Sequence, residues 1–460
     1  MEKSSRLLEL ARFLQDPHLV ARFQHICGVR GTFSRTAVGG GNDREATPSE
    51  TQDNGACYHQ LEEDHGGETM GMDMGSAGVR NRVVDSKKHH DEDFPHNGSL
   101  PTRTPEASVS DHSGAMTDEA GAASRVKPLR RNSLTGDAGQ EFLIENRIFY
   151  YLFTFGTELG NEFFYITFFP FLLWNVDAFV SRRLIMVWVW VMYLGQCTKD
   201  VIGWSRPASP PVVKVEVFYN SEYSMPSTHA MSGTAIPFAL FFMTCDRWEY
   251  PFTLGFVLAL CWCLLVCVSR IYMGMHSVLD VIVGVFYSIL ILLLLLPALD
   301  VIDNFVLTCV HAPLVIVCLH LGLGLFSFTL DTWSTSRGDT AQILGSGAGI
   351  ALASHVNHRL GLMPDPERLP LSLPALSGGL VGTAALRFLL GVLVLVATRA
   401  LMKALTIPLV CRLMAIPGDD MRKARQHMEV ELPYRYIVYG TVGFNVVFLV
   451  PLLFSYLALC

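Results

Sequence analysis

Charge is scarce in this chain. Asp, Glu, Lys and Arg make up 17% of its 460 residues while 50% are hydrophobic, which excludes an ordinary soluble enzyme and predicts a polytopic membrane protein. Metal-ligand spacing is missing too: there is no H-E-x-x-H, and no second cysteine pair or nearby histidine completes a tetrahedral set around Cys261 and Cys263. No metal and no cofactor are expected. The 11 cysteines fall largely in or beside apolar runs, as Cys197, Cys245, Cys261, Cys263, Cys267, Cys309 and Cys318 do, and read as small core side chains rather than a disulfide framework. No G-x-S-x-G elbow surrounds a serine. No apolar core of signal-peptide type follows Met1-Glu2-Lys3-Ser4-Ser5-Arg6, so insertion is expected to use an internal segment. The net charge of -7 reflects acidic residues crowded into the first 140 positions, such as Glu62, Glu63, Asp64, Asp91, Glu92 and Asp93; no nucleic-acid partner is implied.

What is present is apolar periodicity, and the expected fold class is all-α. Residues 1–30 carry helix-spaced Leu7, Leu10, Phe13, Leu14, Val20, Phe23 and Ile26 among Arg6, Arg12 and Arg22, an amphipathic helix that lies on a membrane surface or docks on the protein's own membrane domain. Residues 31–140 have too few large apolar groups to bury a core and read as a disordered cytoplasmic tail. This tail holds a charge run (Lys87-Lys88-His89-His90-Asp91), a sequon (Asn97-Gly98-Ser99) and a basic pair before Ser133 (Arg130-Arg131-Asn132-Ser133). Residues 141–300 are expected to form a membrane-embedded core, and 301–460 an additional C-terminal transmembrane region. The spans read as 148–174, 184–198, 230–245, 252–268, 278–299, 305–328, 340–356, 376–398 and 436–459, the first interrupted by Glu158, Gly160, Asn161 and Glu162. With Arg182-Arg183 on the cytoplasmic side, the polar motifs below gather on the far face; Arg412, Arg422, Lys423 and Arg425 argue for a cytoplasmic segment before the last span.

Three polar clusters stand at the ends of these runs: Lys199 with Arg206-Pro207, then Pro226-Ser227-Thr228-His229, then Ser269-Arg270 with His276 and Asp280. Cations beside a bilayer are costly unless a shared anion offsets their desolvation, and phosphate is the obvious one. Lys199, Arg206 and Arg270 supply positive charge, the guanidiniums in bidentate geometry. Ser227 precedes a new helix, whose N-terminal N–H groups favour anions. His276 and Asp280 are four apart, so on a helix the carboxylate can hold the imidazole by its second nitrogen while the other attacks phosphorus. His229 can protonate the departing alkoxide and then activate water. Rival readings are a zinc site of His229, His276 and Asp280, and a Ser227-His229-Asp280 hydrolase.

The series K-x6-R-P, P-S-x-H and S-R-x5-H-x3-D resembles the three-part signature of the type 2 phosphatidic acid phosphatase superfamily. The context Cys197-Thr198-Lys199-Asp200, the stretch from Phe218 to Ala230, Arg270 to His276 and Thr332 to Asp339 is similar to its sphingosine-1-phosphate phosphatase branch, with Thr228 where glycine is commonest in the superfamily. The resemblance covers most of 142–460 and the Leu14-Gln15-Asp16-Pro17 region. It implies His276 as nucleophile, Asp280 as its orienter, His229 as acid, and Lys199, Arg206, Ser227 and Arg270 as phosphate ligands. It also implies metal-independent hydrolysis of a sphingoid-base phosphate, a lumenal active site in the endoplasmic reticulum membrane, and a route returning sphingosine to ceramide synthesis. The alternatives are a broad lipid phosphate phosphatase and a silent scaffold or transporter of the same fold.

Overall fold

A computed structural model describes residues 2–33, 140–216, 222–330, 336–363, 371–372, 377–417 and 421–459. Most of the expected tail, with its charge run, sequon and Ser133, lies outside the described residues, as do Phe218 to Ser221 and Thr332 to Thr335. The chain runs through α1 (Glu2–Gln15), α2 (Pro17–Ile26), β1 (Val29–Phe33), β2 (Gln140–Ile144), α3 (Arg147–Glu158), α4 (Glu162–Asn175), α5 (Ala178–Ile202), α6 (Thr228–Thr244) and α7 (Phe252–Tyr272). It continues through α8 (Val278–Thr308), α9 (Ala312–Leu330), α10 (Arg337–Arg359), α11 (Gly378–Leu413), α12 (Met421–Ala424), α13 (Met428–Val447) and α14 (Leu449–Tyr456).

Six described segments are long and apolar enough to cross a membrane: α5, α7, α8, α9, α11 and Met428–Tyr456, which joins α13 and α14. Large apolar side chains such as Leu293, Leu314, Leu325, Leu389 and Leu393 stand exposed on their outer faces, as a lipid-facing surface requires. The span expected from 148 breaks into α3 and α4. Asn161 is the N-cap position of α4, and the polar run Glu158 to Glu162 cannot continue one apolar helix. The span expected from 305 begins instead at Ala312, because α8 runs on to Thr308 before a break at Cys309. The expected span 340–356 is a helix, α10, but falls outside the six. Its small residues pack it against α13: an added Cβ at Gly345 would lie 2.5 Å from the Tyr436 carbonyl oxygen, and one at Gly443 2.6 Å from that of Ser346, the close approach that small residues permit.

One apolar cluster draws on Tyr165, Phe169 and Trp174 of α4, Leu184 and Val187 of α5, Met231 and Ile236 of α6, Ile343 and Ile350 of α10, and Val446 and Val450 of the last span. It joins the 141–300 region to the 301–460 region. At one end of the bundle Arg182 Nη1 donates to Asp303 (2.9 Å) and Arg183 Nη1 to Asp300 (2.6 Å); Arg247 pairs there with Asp177. Lys199 is 17 residues beyond Arg182 on α5, about 25 Å further along at 1.5 Å per residue. The polar clusters therefore lie at the opposite end from the paired arginines. Of the cysteines, Cys263 and Cys267 are buried, while Cys261 and Cys318 are exposed among the outer apolar faces.

The N-terminal region departs from the expected single helix. Asp16 caps α2, its carboxylate accepting from His18 N–H (2.8 Å), with Pro17 at the first helical position. This Asp-Pro pair splits the segment in two. Beyond α2, β1 pairs antiparallel with β2, Val29 opposite Ile144, and buries Val29, Phe142 and Ile144. An antiparallel pair whose strands are more than a hundred positions apart leaves no local hairpin signal. α2 itself docks on the membrane domain. Gln24 donates to Val213 O (2.7 Å) and Tyr272 O (2.8 Å) and accepts from Val213 N–H (3.0 Å). Gly274, with φ +71°, lets the chain pass this junction, where a Cβ would meet the Val213 carbonyl oxygen. Gln24→Ala orphans three buried backbone groups, each worth about 1–3 kcal/mol when left unpaired; thermal unfolding in detergent should shift down by roughly 5 °C or more.

Candidate active site

The last turns of α5 and α7 and the starts of α6 and α8, with the loop between α5 and α6, bring the clusters together. Lys199 occupies the last turn of α5 and is 1% exposed, and Arg270, near the end of α7, is fully buried. Lys199 Nζ donates to Glu222 Oε2 (3.1 Å). Arg206, which follows the left-handed Gly203 that ends α5, donates from Nε to Glu222 O (3.0 Å) and from Nη1 to Met275 O (2.9 Å), and its Nη2 lies 3.6 Å from Glu222 Oε2. Burial, with Arg270 adding to it and Glu222 opposing, brings Arg206 down to about 10, so it stays charged near neutrality. Arg270 Nη1 donates to Glu216 Oε2 (2.9 Å), but its Nε and Nη2 have no partner among the described residues. A buried guanidinium calls for acceptors at each of its nitrogens.

His276 lies in the turn between α7 and α8, 1% exposed. Its Nε2 is 3.4 Å from Arg206 Nη1. Burial, then Arg206, Arg270, Lys199 and His229, hold the ring well below the usual histidine range, and burial, then Arg270, Lys199 and Arg206, shift His229 in the same direction; a phosphate dianion among these cations opposes both shifts. The expected direct bond to Asp280 is absent: Nδ1 and Oδ2 are 3.9 Å apart. Ser224 stands between them, its Oγ donating to Asp280 Oδ2 at 2.6 Å and lying 3.4 Å from His276 Nδ1. The physical reason is the capping box of α8. Asp280 N–H donates to Ser277 Oγ (3.2 Å) and Ser277 N–H to Asp280 Oδ2 (2.7 Å), which ties the carboxylate back to its own helix terminus.

Ser227 is the N-cap of α6, its Oγ accepting from Ala230 N–H (3.4 Å), while its own N–H donates to Asp280 O (3.2 Å). Of the N-terminal N–H groups expected to favour an anion, these two amides are already bonded within the protein. His229, the second residue of α6, has Nε2 2.9 Å from Asn161 Oδ1 at the α3–α4 break. A Cβ added at Gly160 would lie 2.6 Å from the ring's Cδ2, so the polar break accommodates the imidazole. Among the described residues no group of three or more His, Cys, Asp and Glu is placed to hold a metal ion, and the zinc reading of His229, His276 and Asp280 finds no such cluster.

Sequence reasoning missed Ser224, Glu216, Glu222 and Lys214. Lys214 Nζ donates to Gly274 O (3.0 Å), and burial brings it down to about 8. The two glutamates had a legible signal, since buried cations require counter-charges and both lie in the loop between the first two clusters.

Membrane-crossing helices that gather buried cations and two histidines at one end place the chain in a recognisable class: residues 182–301 match the PAP2 superfamily. The chain is 51% identical to rat Sphingosine-1-phosphate phosphatase 1, across all of both chains. It is 39% identical to human Sphingosine-1-phosphate phosphatase 2 over 80% of this chain and 93% of that protein. To Lipid phosphate phosphatase delta of Arabidopsis thaliana it is 32% identical over 31% of this chain and 36% of that protein. The chain belongs to the sphingosine-1-phosphate phosphatase family. No solved structure matches it.

Proposed function

We propose that this protein hydrolyses sphingosine 1-phosphate and related sphingoid-base phosphates to the free base and inorganic phosphate, without a metal, through a phosphohistidine on His276. The observation that carries this reading is the buried His276, with Nε2 beside the Arg206 guanidinium (3.4 Å) and Nδ1 facing Ser224 and Asp280. With Nδ1–H directed at Ser224 Oγ and Ser224 donating to Asp280, the Nε2 lone pair faces Arg206 Nη1 (3.4 Å) and becomes available for attack as that guanidinium turns to the phosphate oxygens, and charge developing on the ring is stabilised through the hydroxyl. Phosphate oxygens replace Glu222 on Lys199 and Arg206, take the open Nε and Nη2 of Arg270, and accept from the Ser227 hydroxyl. Nε2 attacks phosphorus as the ester P–O bond breaks, and His229 gives its proton to the sphingoid alkoxide. His229 then takes a proton from water, whose oxygen displaces His276 from phosphorus and releases phosphate.

The active site belongs on the lumenal face of the endoplasmic reticulum membrane. The family resemblance supports the compartment, and the arginines at the opposite bundle end support the orientation through the positive-inside tendency. The phosphatase core comprises 141–300, and 301–460 adds further helices to it. Activity of the purified protein in detergent is expected to persist in EDTA and to be blocked by vanadate, whose five-coordinate form mimics the transition state. Loss on chelation, restored by magnesium or zinc, would contradict a reaction carried by cationic side chains alone.

A further inference from the structure

We propose that Glu222 selects lipid phosphates that carry an ammonium beside the phosphate, an assignment that rests on the function proposed above. Glu222 lies within the cation cluster: its Oε2 is 3.1 Å from Lys199 Nζ and 3.6 Å from Arg206 Nη2, and its side chain is 14% exposed. Its backbone is held in place because the Glu222 carbonyl accepts from Arg206 Nε at 3.0 Å. The buried cations Lys199 and Arg206 face Glu222, and Arg270 faces Glu216, while Lys214 bonds Gly274 O and Asp280 is held by Ser224 and Ser277. A phosphate monoester dianion entering this site must displace Glu222 from both of its partners, leaving a largely buried carboxylate against new negative charge. A glycerol-based lipid phosphate brings nothing to offset that repulsion. A sphingoid-base phosphate does, because its ammonium is on the carbon adjacent to the one bearing the phosphate. As phosphate oxygens take Lys199 and Arg206, the released carboxylate accepts from that ammonium, and the excess charge is reduced by one. Glu216 is a poorer candidate, since its ion pair among the described residues is with Arg270 (2.9 Å) rather than with Lys199 and Arg206.

The test compares kcat/KM for sphingosine 1-phosphate, its N-acetylated form and lysophosphatidate, using full-length wild type, Glu222→Gln and Glu216→Gln in detergent. A ratio of two substrates on one preparation does not depend on the fraction folded. Wild type should favour the ammonium-bearing substrate. Glu222→Gln should reduce that preference about tenfold or more, the range of one charge-assisted hydrogen bond, partly because the amine-less substrates improve; Glu216→Gln should change all three rates together. A second measurement needs no variant: free sphingosine should tighten vanadate inhibition of wild type, whereas N-acetylsphingosine should not. The assignment is overturned by an unchanged preference in Glu222→Gln, by a loss confined to Glu216→Gln, by a wild type indifferent to N-acetylation, or by no effect of sphingosine on vanadate. A wild type that releases phosphate from lysophosphatidate but not from sphingosine 1-phosphate contradicts the proposed function instead.

Discussion

His276→Ala is expected to abolish release of phosphate from sphingosine 1-phosphate, a loss on the order of 10⁴-fold or more, as when the nucleophile of a covalent mechanism is removed. His229→Ala should behave differently, losing about 10²–10⁴ with the lipid substrate because the poor alkoxide leaving group departs unprotonated. An aryl phosphate, whose leaving group needs little protonation, separates the two roles. With it His229→Ala should still complete the first displacement and stall at the second, whereas His276→Ala should do neither. The difference has a structural basis: His276 Nε2 stands against Arg206, and His229 Nε2 is turned toward Asn161, 2.9 Å away at the α3–α4 break. Steady-state rates with both substrates, plus a rapid-quench burst with the aryl phosphate, measure it. Equal losses in both variants with both substrates would remove the distinction between nucleophile and acid.

Arg270→Lys should lower kcat/KM by about 10²–10³, the usual loss when one preorganised donor to a developing oxyanion is removed. Arg270 is fully buried, and its Nε and Nη2 have no partner among the described residues, so the fork can take two phosphate oxygens. A lysine keeps the charge but replaces the fixed fork with one flexible ammonium. Vanadate affinity should fall in parallel, while the thermal midpoint moves by only a few degrees, since the ion pair with Glu216 (2.9 Å) can be re-formed by a lysine. Unchanged vanadate affinity would show that Arg270 serves the fold rather than the phosphate.

The pieces of this site were legible wherever chemistry fixes spacing within a short window. Lys199 and Arg206 at a helix end, Ser227 and His229 at a helix start, and His276 with Asp280 four residues later are local patterns, and the structure brings all of them to one end of the bundle. The direct His276–Asp280 bond was misjudged because helical spacing says which side chains share a face, not which competes for the carboxylate. Ser277, at the cap, and Ser224, from a loop 56 residues away, win that competition. Glu216 and Glu222 were passed over because a carboxylate in a loop carries no periodicity; only the need to neutralise Lys199 and Arg270 marks them. The docking of α2 through Gln24, 189 residues from Val213, and the β1–β2 pair depend on long-range closure that no local pattern encodes. The extra length of α8 and the break before α9 were blurred because the apolar run passes through Pro297 with no change in composition.

The central claim is that phosphate passes through a nitrogen of His276, and the most direct measurement is to locate the phosphoryl group. Wild type and His229→Ala should be mixed with an aryl phosphate, quenched in alkali and digested, and the phosphorylated peptide mapped by mass spectrometry. An alkali-stable, acid-labile phosphate on His276, accumulating further in His229→Ala and absent from His276→Ala, is the result expected. A phosphoenzyme that survives His276→Ala, or phosphate mapped to Ser227 or His229, would contradict the account.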